Sequence, residues 1–161
     1  MNTRSAKNLA TLDKKAQAIF KPFIEAAEPL AATLGCEYIA ISGNRTFAEQ
    51  DKLFAKGRSI PPIGPSHIVS NAKGGQSNHN FGIALDFGVF QGKRYLDGGT
   101  KAETSVASGV HRSVAEKLAK KHGIDWGGNW KSFKDEPHFE IATGLTMQEK
   151  RERFKKNGSV L

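Results

Sequence analysis

A chain of 161 residues has the length of one compact domain, about 150 residues being usual, with no room for a separate wall-binding or receptor module. Its 38% hydrophobic and 25% charged content is that of a globular protein and excludes collagenous and disordered classes. Lysine and arginine outnumber aspartate and glutamate 24 to 16, and the resulting charge of +8 attracts polyanions without choosing among nucleic acid, anionic lipid and cell-wall polymer.

No apolar run approaches the ~20 residues a membrane span needs, and the first residues lack the continuous apolar run of a secretion signal. The expectation is synthesis in the cytoplasm without a signal peptide. Cys36 is the one cysteine, so it forms no internal disulfide and no cysteine metal cluster, and it reads as a small core residue. Any metal must then be held by histidine and carboxylate.

In chain order, Leu12, Ala16, Ile19, Phe20, Phe23, Ile24, Ala27, Leu30 and Leu34 recur at helical spacing. Pro22 and Pro29 predict a kink or split in that helix, and Gly35 a left-handed end. Cys36 to Ser42 is β-branched and aromatic and predicts a strand. Gly43-Asn44-Arg45 then leads into a helix opened by the capping box Thr46 to Glu49 and running to Gly57, with Phe47 and Phe54 read as core. Residues 58–78 hold prolines and glycines without periodicity and predict a long functional loop.

Ala84 to Phe90 predicts a second strand, turning through Gln91-Gly92-Lys93 into a hairpin with Arg94-Tyr95-Leu96. Val110, Val114, Ala115, Leu118 and Ala119 give one helix face ending at Gly123. Ile124 to Asn129 and His138 to Ile141 read as short strands, and Thr146 to Glu149 opens a terminal helix with another capping box. The fold class is α+β, a small, mostly antiparallel sheet with helices packed on it, within one domain spanning residues 1–161. The basic excess gathers at the helical ends, residues 1–35 and 146–161: Arg4, Lys7, Lys14, Lys15 and Lys21 at one end, Lys150, Arg151, Arg153, Lys155 and Lys156 at the other. Charge runs of this kind are commonly solvated helix faces.

Two segments carry chemistry. In Ser77-Asn78-His79-Asn80-Phe81-Gly82-Ile83-Ala84-Leu85-Asp86 a histidine and an aspartate flank a glycine and enter an apolar strand, where an inward carboxylate needs a cation or several donors. In Asp135-Glu136-Pro137-His138-Phe139-Glu140 a carboxylate precedes a strand-opening histidine by three residues. Two imidazoles and one carboxylate form the ligand set of a catalytic zinc with an open position, and a nearby non-ligating carboxylate serves as base; Asp135 and Glu136 both qualify by type. The plainer alternative is a capped loop and an acidic turn.

With Ser42-Gly43-Asn44-Arg45-Thr46 and Trp126-Gly127-Gly128-Asn129-Trp130, these segments resemble the family of D-alanyl-D-alanine carboxypeptidases and L-alanyl-D-glutamate endopeptidases, zinc peptidases that include single-domain phage endolysins. The resemblance covers about Tyr38 to Glu140 and implies one zinc per chain, in a cleft on the sheet, held by His79, Asp86 and His138. It implies Asp135 as base and Arg45 as the group that stabilises the polarised carbonyl, with Ser77 and Gln50 lining the substrate cleft. Trp126 or Trp130 is expected to wall the cleft, the alternative being core packing. His67 reads as a solvent or supporting histidine, His111 and His122 as structural, and Tyr95 lies outside the motifs.

The implied substrate is the peptidoglycan stem peptide, cut most simply at L-alanyl-D-glutamate. Removal of terminal D-alanine by a carboxypeptidase or dipeptidase is the enzymatic alternative, and a non-catalytic basic module the non-enzymatic one. The enzyme is expected to act as a monomer on the cell wall after release, aided by a phage-made membrane lesion, its basic ends drawn to anionic envelope polymers. No nucleic-acid motif is evident, and no nucleic-acid partner is expected.

Overall fold

The computed structural model describes residues 1–161. Five α-helices, α1 (Thr3–Ala10), α2 (Lys14–Ala32), α3 (Phe47–Ala55), α4 (Lys101–Leu118) and α5 (Met147–Asn157), surround one sheet. Its strands are β1 (Glu37–Ser42), β2 (Ala84–Gln91), β3 (Arg94–Tyr95), β4 (Ile124–Trp126) and β5 (His138–Ile141), in the order β1-β2-β5-β4 with β3 paired to β2. Every strand pair is antiparallel, so the fold is α+β as expected.

The period of two along a strand decides what the sheet does. Leu85, Phe87 and Val89 on β2, Tyr38 and Ala40 on β1, and Phe139 and Ile141 on β5 turn to one face and are buried there. The inner face of α2, made of Ala16, Phe20, Phe23, Ile24, Ala27 and Ala31, packs on them, and Phe23 meets Phe87 and Phe139 at ring centroids of 5.8 and 5.4 Å. The alternate residues Asp86, His138 and Glu140 are thereby left to the opposite face.

Several local expectations are corrected. Helix α2 runs unbroken through Pro22 and Pro29, because both prolines sit on its exposed side, where freed carbonyls reach water, while its other face is fully buried. A separate helix, α1, precedes it, capped by the Asn2 side chain. Its Ser5 and Asn8 side chains bond the Ala40 N–H and C=O at 3.1 and 2.9 Å, covering the edge of β1. Helix α4 starts at Lys101 rather than near Val110, because Thr100 and Glu103 form a capping box. Strand β4 stops at Trp126, the following Gly127–Asn129 forming a 3-10 turn. Phe47 and Phe54 are not core: Phe47 is 42% exposed and packs on Phe81 and Phe154, and Phe54 is half-buried beneath the Arg58 guanidinium. Cys36 is buried in the apolar core.

Candidate active site and possible metal centre

Three elements deliver three side chains to one point. Asp86 lies on β2, directly opposite His138 at the start of β5, and Ser42 at the end of β1 flanks it on the other side. His79 arrives from the 3-10 turn Asn78–Phe81, which Gly82 closes in the left-handed conformation. The His79 Nε2 stands 3.0 Å from Asp86 Oδ1 and 3.2 Å from His138 Nδ1, and the third edge, His138 Nδ1 to Asp86 Oδ1, is 3.1 Å.

The outward atoms of the two rings fix which nitrogen carries a proton. His79 Nδ1 lies 2.7 Å from the Gly43 carbonyl, an acceptor only, so Nδ1 donates and Nε2 presents a lone pair. His138 Nε2 lies 2.8 Å from Glu140 Oε2, so with an ionised Glu140 it donates and Nδ1 presents a lone pair. Two lone pairs and a carboxylate oxygen therefore converge on one point. That is an unfavourable arrangement unless a cation or an additional proton joins them. A tetrahedral ion with bonds of about 2.0–2.1 Å needs ligand edges of roughly 3.3 Å, which the 3.0–3.2 Å triangle approaches. The chain therefore has a possible His-Asp-His metal site.

Electrostatics agree with that demand. Burial raises the Asp86 pKa, yet His79 and His138 beside it hold the carboxyl well below the usual range. Burial opposes protonation of His138, but its bonds to Asp86 and Glu140 push the ring up to about 9. Without a cation, the site thus retains a proton. The other Asp86 oxygen, Oδ2, accepts from Arg45 Nη2 at 3.2 Å, and Arg45 Nη1 donates to Gln50 Oε1 at 3.0 Å. Arg45 Nε is buried without a protein acceptor.

The triangle floors a cleft of about 530 Å³. One wall is Val69 to Ala72 with Gln76 and Ser77, the other Trp130, Ser132 and Phe133, and Asp135, Arg45 and Glu140 also face it. Burial, and secondarily the negative charge of Asp86, raises the Asp135 pKa from the ordinary aspartate value.

The pattern of the family described as D-alanyl-D-alanine carboxypeptidase matches residues 70–141. Over 129 residues, 76% of this chain and 71% of the relative, the chain is 34% identical to the peptidoglycan L-alanyl-D-glutamate endopeptidase CwlK of Bacillus subtilis (strain 168). The chain belongs to the M15 peptidase family. Among solved structures, the fold is similar to the L-Ala D-Glu endopeptidase ChiX of Serratia marcescens, at 20% identity and a TM-score of 0.53 over 89% of this chain and 90% of that one. It is also similar to the vancomycin resistance D,D-pentapeptidase VanY, solved with Zn(II), at 18% identity and a TM-score of 0.52 over 92% of this chain and 80% of that one.

Within this M15 chain, the residues singled out from sequence separate by location. His79, Asp86, His138, Asp135, Arg45, Ser77 and Trp130 all line the cleft, with the Trp130 ring 5.0 Å from that of His138. Gln50 does not line it: the side chain is buried, its oxygen on Arg45 and its amide on Ser70 Oγ and the Ala72 carbonyl. Trp126 does not line it either, being buried against Phe139 with its indole N–H donating to the Glu136 carbonyl. The Glu136 carboxylate turns away to Ser108 on α4 at 2.7 Å. The Gly127-Gly128 pair permits close approach: a Cβ on Gly127 would meet the Asp135 carbonyl oxygen and, at 3.1 Å, His138 Cβ. His67 is exposed outside the cleft, His111 is fully buried, and the His122 ring packs edge-on against Phe23.

Sequence reasoning did not single out Glu140 and Gly43, the partners of the two outer ring nitrogens. The spacing of His138 and Glu140, two apart on a strand, is the signal that puts both on one face. Gly43 acts through its backbone carbonyl, 36 residues from His79, so it has no local signature.

Proposed function

We propose that this M15 peptidase is a zinc-dependent endopeptidase of the peptidoglycan stem peptide that hydrolyses the L-alanyl-D-glutamate bond. The observation that carries the reading is the convergence of three acceptor atoms at the floor of a cleft that Asp135 also faces. His79, Asp86 and His138 would hold one zinc, which when bound supplies a Lewis acid for the scissile carbonyl and makes water more acidic. Asp135 accepts the proton from the attacking water, the oxygen bonds to the carbonyl carbon, the C–N bond breaks, and Asp135 returns the proton to the departing amine. Burial of Asp135 beside the metal-ligand candidates places a carboxylate where it can take the proton from water and return it to the amine. Arg45 steadies Asp86 through one guanidinium nitrogen and also lines the cleft, where its positive charge answers negative charge developing on the carbonyl oxygen.

Two observations support an endopeptidase over removal of a terminal D-alanine. The relative CwlK is an L-alanyl-D-glutamate endopeptidase by name. Arg45 is the one lysine or arginine lining the cleft, and in the proposed mechanism it serves Asp86 and the scissile carbonyl, so no second lysine or arginine among the lining residues faces a substrate's terminal carboxylate. Mass spectrometry of peptidoglycan fragments after digestion is the test. New N-terminal glutamate is the expected product, and release of free D-alanine alone would establish the carboxypeptidase instead.

The exposed Arg151, Arg153, Lys155 and Lys156 of α5 give the enzyme a long-range attraction to anionic envelope polymers. Salt should therefore inhibit lysis of whole walls more than cleavage of a small soluble peptide, and equal sensitivity would remove this targeting role.

A further inference from the structure

The C-terminal helix α5 lies outside the segment that matches the family pattern, and most of its basic residues face solvent. Lys150 is the exception. It is only 5% exposed, and its Nζ donates to Asn78 Oδ1 at 2.8 Å. Burying an ammonium is costly unless the charge is answered, and the carboxylates it faces are Glu140 and Asp125. Asn78 immediately precedes His79, and Glu140 holds the outer nitrogen of His138. Lys150 thus stands between the residue that precedes His79 and the carboxylate that holds His138.

The rest of α5 fastens the same segment. Arg151 Nη1 donates to the Gly75 carbonyl at 3.2 Å, and the Phe154 ring meets Phe81 at 5.5 Å and Phe47 at 6.4 Å. We propose that Lys150 is a positioning residue for the metal centre, holding Asn78 and facing Glu140 so that His79 and His138 present their lone pairs at the spacing a zinc ion requires. The inference rests on the metal reading above and assigns the terminal helix a part in it.

Groups that orient metal-bound histidines are typically worth about 10- to 100-fold in metal affinity. Zinc affinity of the full chain, measured by competition with a chelator of known affinity, is the readout. Lys150→Met should weaken zinc by about 10-fold or more, whereas Val160→Ala, a truncation of a buried residue beyond α5, should lower the melting temperature and leave zinc affinity at the parent value. Lys150→Gln, which still donates to Asn78 without the charge, should weaken zinc by less and serves in place of Lys150→Met if that variant does not fold. Parent-like zinc affinity in the folded Lys150 variant overturns the inference and leaves the metal reading standing. A parent chain that binds no zinc overturns both.

Discussion

The protein buries two clusters of histidine and aspartate around the same sheet, and they are opposites. In one, Tyr38 Oη meets His111 Nδ1 at 2.9 Å, His111 Nε2 meets Asp97 Oδ1 at 2.6 Å, and Asp97 Oδ2 accepts the Val89 N–H at 2.8 Å. Every polar atom of the His111 ring has a protein partner, and the cluster ties α4 to β1 and β2. In the other, the Gly43 carbonyl and Glu140 occupy the outer nitrogens of His79 and His138, leaving acceptors that face only one another and Asp86. The comparison teaches that a buried histidine and aspartate announce neither structure nor chemistry; what matters is whether their polar atoms are satisfied by the protein.

The largest effects should separate the two clusters cleanly. His79→Ala, Asp86→Ala and His138→Ala should each lose zinc and activity together, because three ligands leave none to spare. His111→Ala should keep zinc and chemistry but lose stability on the order of 3 kcal/mol, since the buried Tyr38 hydroxyl loses its partner, Asp97 loses the ring N–H, and a cavity replaces a fully buried side chain. Metal analysis beside melting curves makes the distinction. Full zinc occupancy in any of the three ligand variants, or its loss in His111→Ala, would break the comparison.

Next in size is the choice between adjacent carboxylates. Asp135 faces the cleft, and the Glu136 carboxylate bonds Ser108 on α4. Asp135→Asn should keep fold and zinc but lose roughly 10²–10⁴ in turnover, whereas Glu136→Gln should act only through packing against α4. Steady-state kinetics on both variants check it, and the reverse ranking would make Glu136 the base.

The site was legible in the sequence where its residues sit in short motifs. His79 and Asp86 bracket one turn and strand, and Asp135 and His138 one turn, so short motifs single out residues that the structure brings to one cleft. Runs of β-branched, aromatic and apolar residues likewise predicted β1, β2 and β5, and two capping boxes predicted the starts of α3 and α5. What escaped reading depends on contacts remote along the chain. Gln50 has the composition of a cleft residue but is occupied by Arg45, Ser70 and Ala72. Trp126 and Trp130 are indistinguishable by type, and only the end of β4 decides that the first enters the core and the second meets His138. Helix α1 was hidden because few apolar residues mark it; its stability comes from tertiary bonds to Ala40.

Arg45 sharpens the comparison from the open side. In a closed cluster each donor serves the fold, but here one guanidinium bonds both Asp86 and Gln50 and also lines the cleft. Lysine cannot reproduce a planar fork that holds two partners at once and still faces the cleft. Arg45→Lys should lower turnover by about 10²–10³, the scale of an oxyanion donor, with zinc content and melting temperature near the parent's. An unchanged turnover would leave Arg45 only a structural partner of Asp86 and Gln50.

The smallest effect tests the closed side alone. Helix α4, which carries His111, begins at a capping box in which Thr100 Oγ1 accepts the Glu103 N–H and the Glu103 carboxylate accepts from Thr100 N at 2.7 Å. These bonds, with Arg94, hold the Glu103 carboxyl down at about 2. A depressed carboxylate pKa stabilises the fold above the unfolded value of 4.5, and the contribution fades as pH falls toward the folded value of about 2. Thr100→Ala removes the cap and should cost about 1 kcal/mol at neutral pH. The gap in melting temperature between parent and variant should hold above pH 4.5 and narrow only in part below it, because the backbone N–H at position 100, the largest cause of the low Glu103 value, survives in Thr100→Ala and only the hydroxyl bond to the carboxylate is lost. Zinc affinity should not change, because α4 supports the cluster whose polar atoms are already satisfied. A Thr100→Ala variant with weakened zinc would show that the two clusters are coupled through the sheet and that the separation drawn between them does not hold.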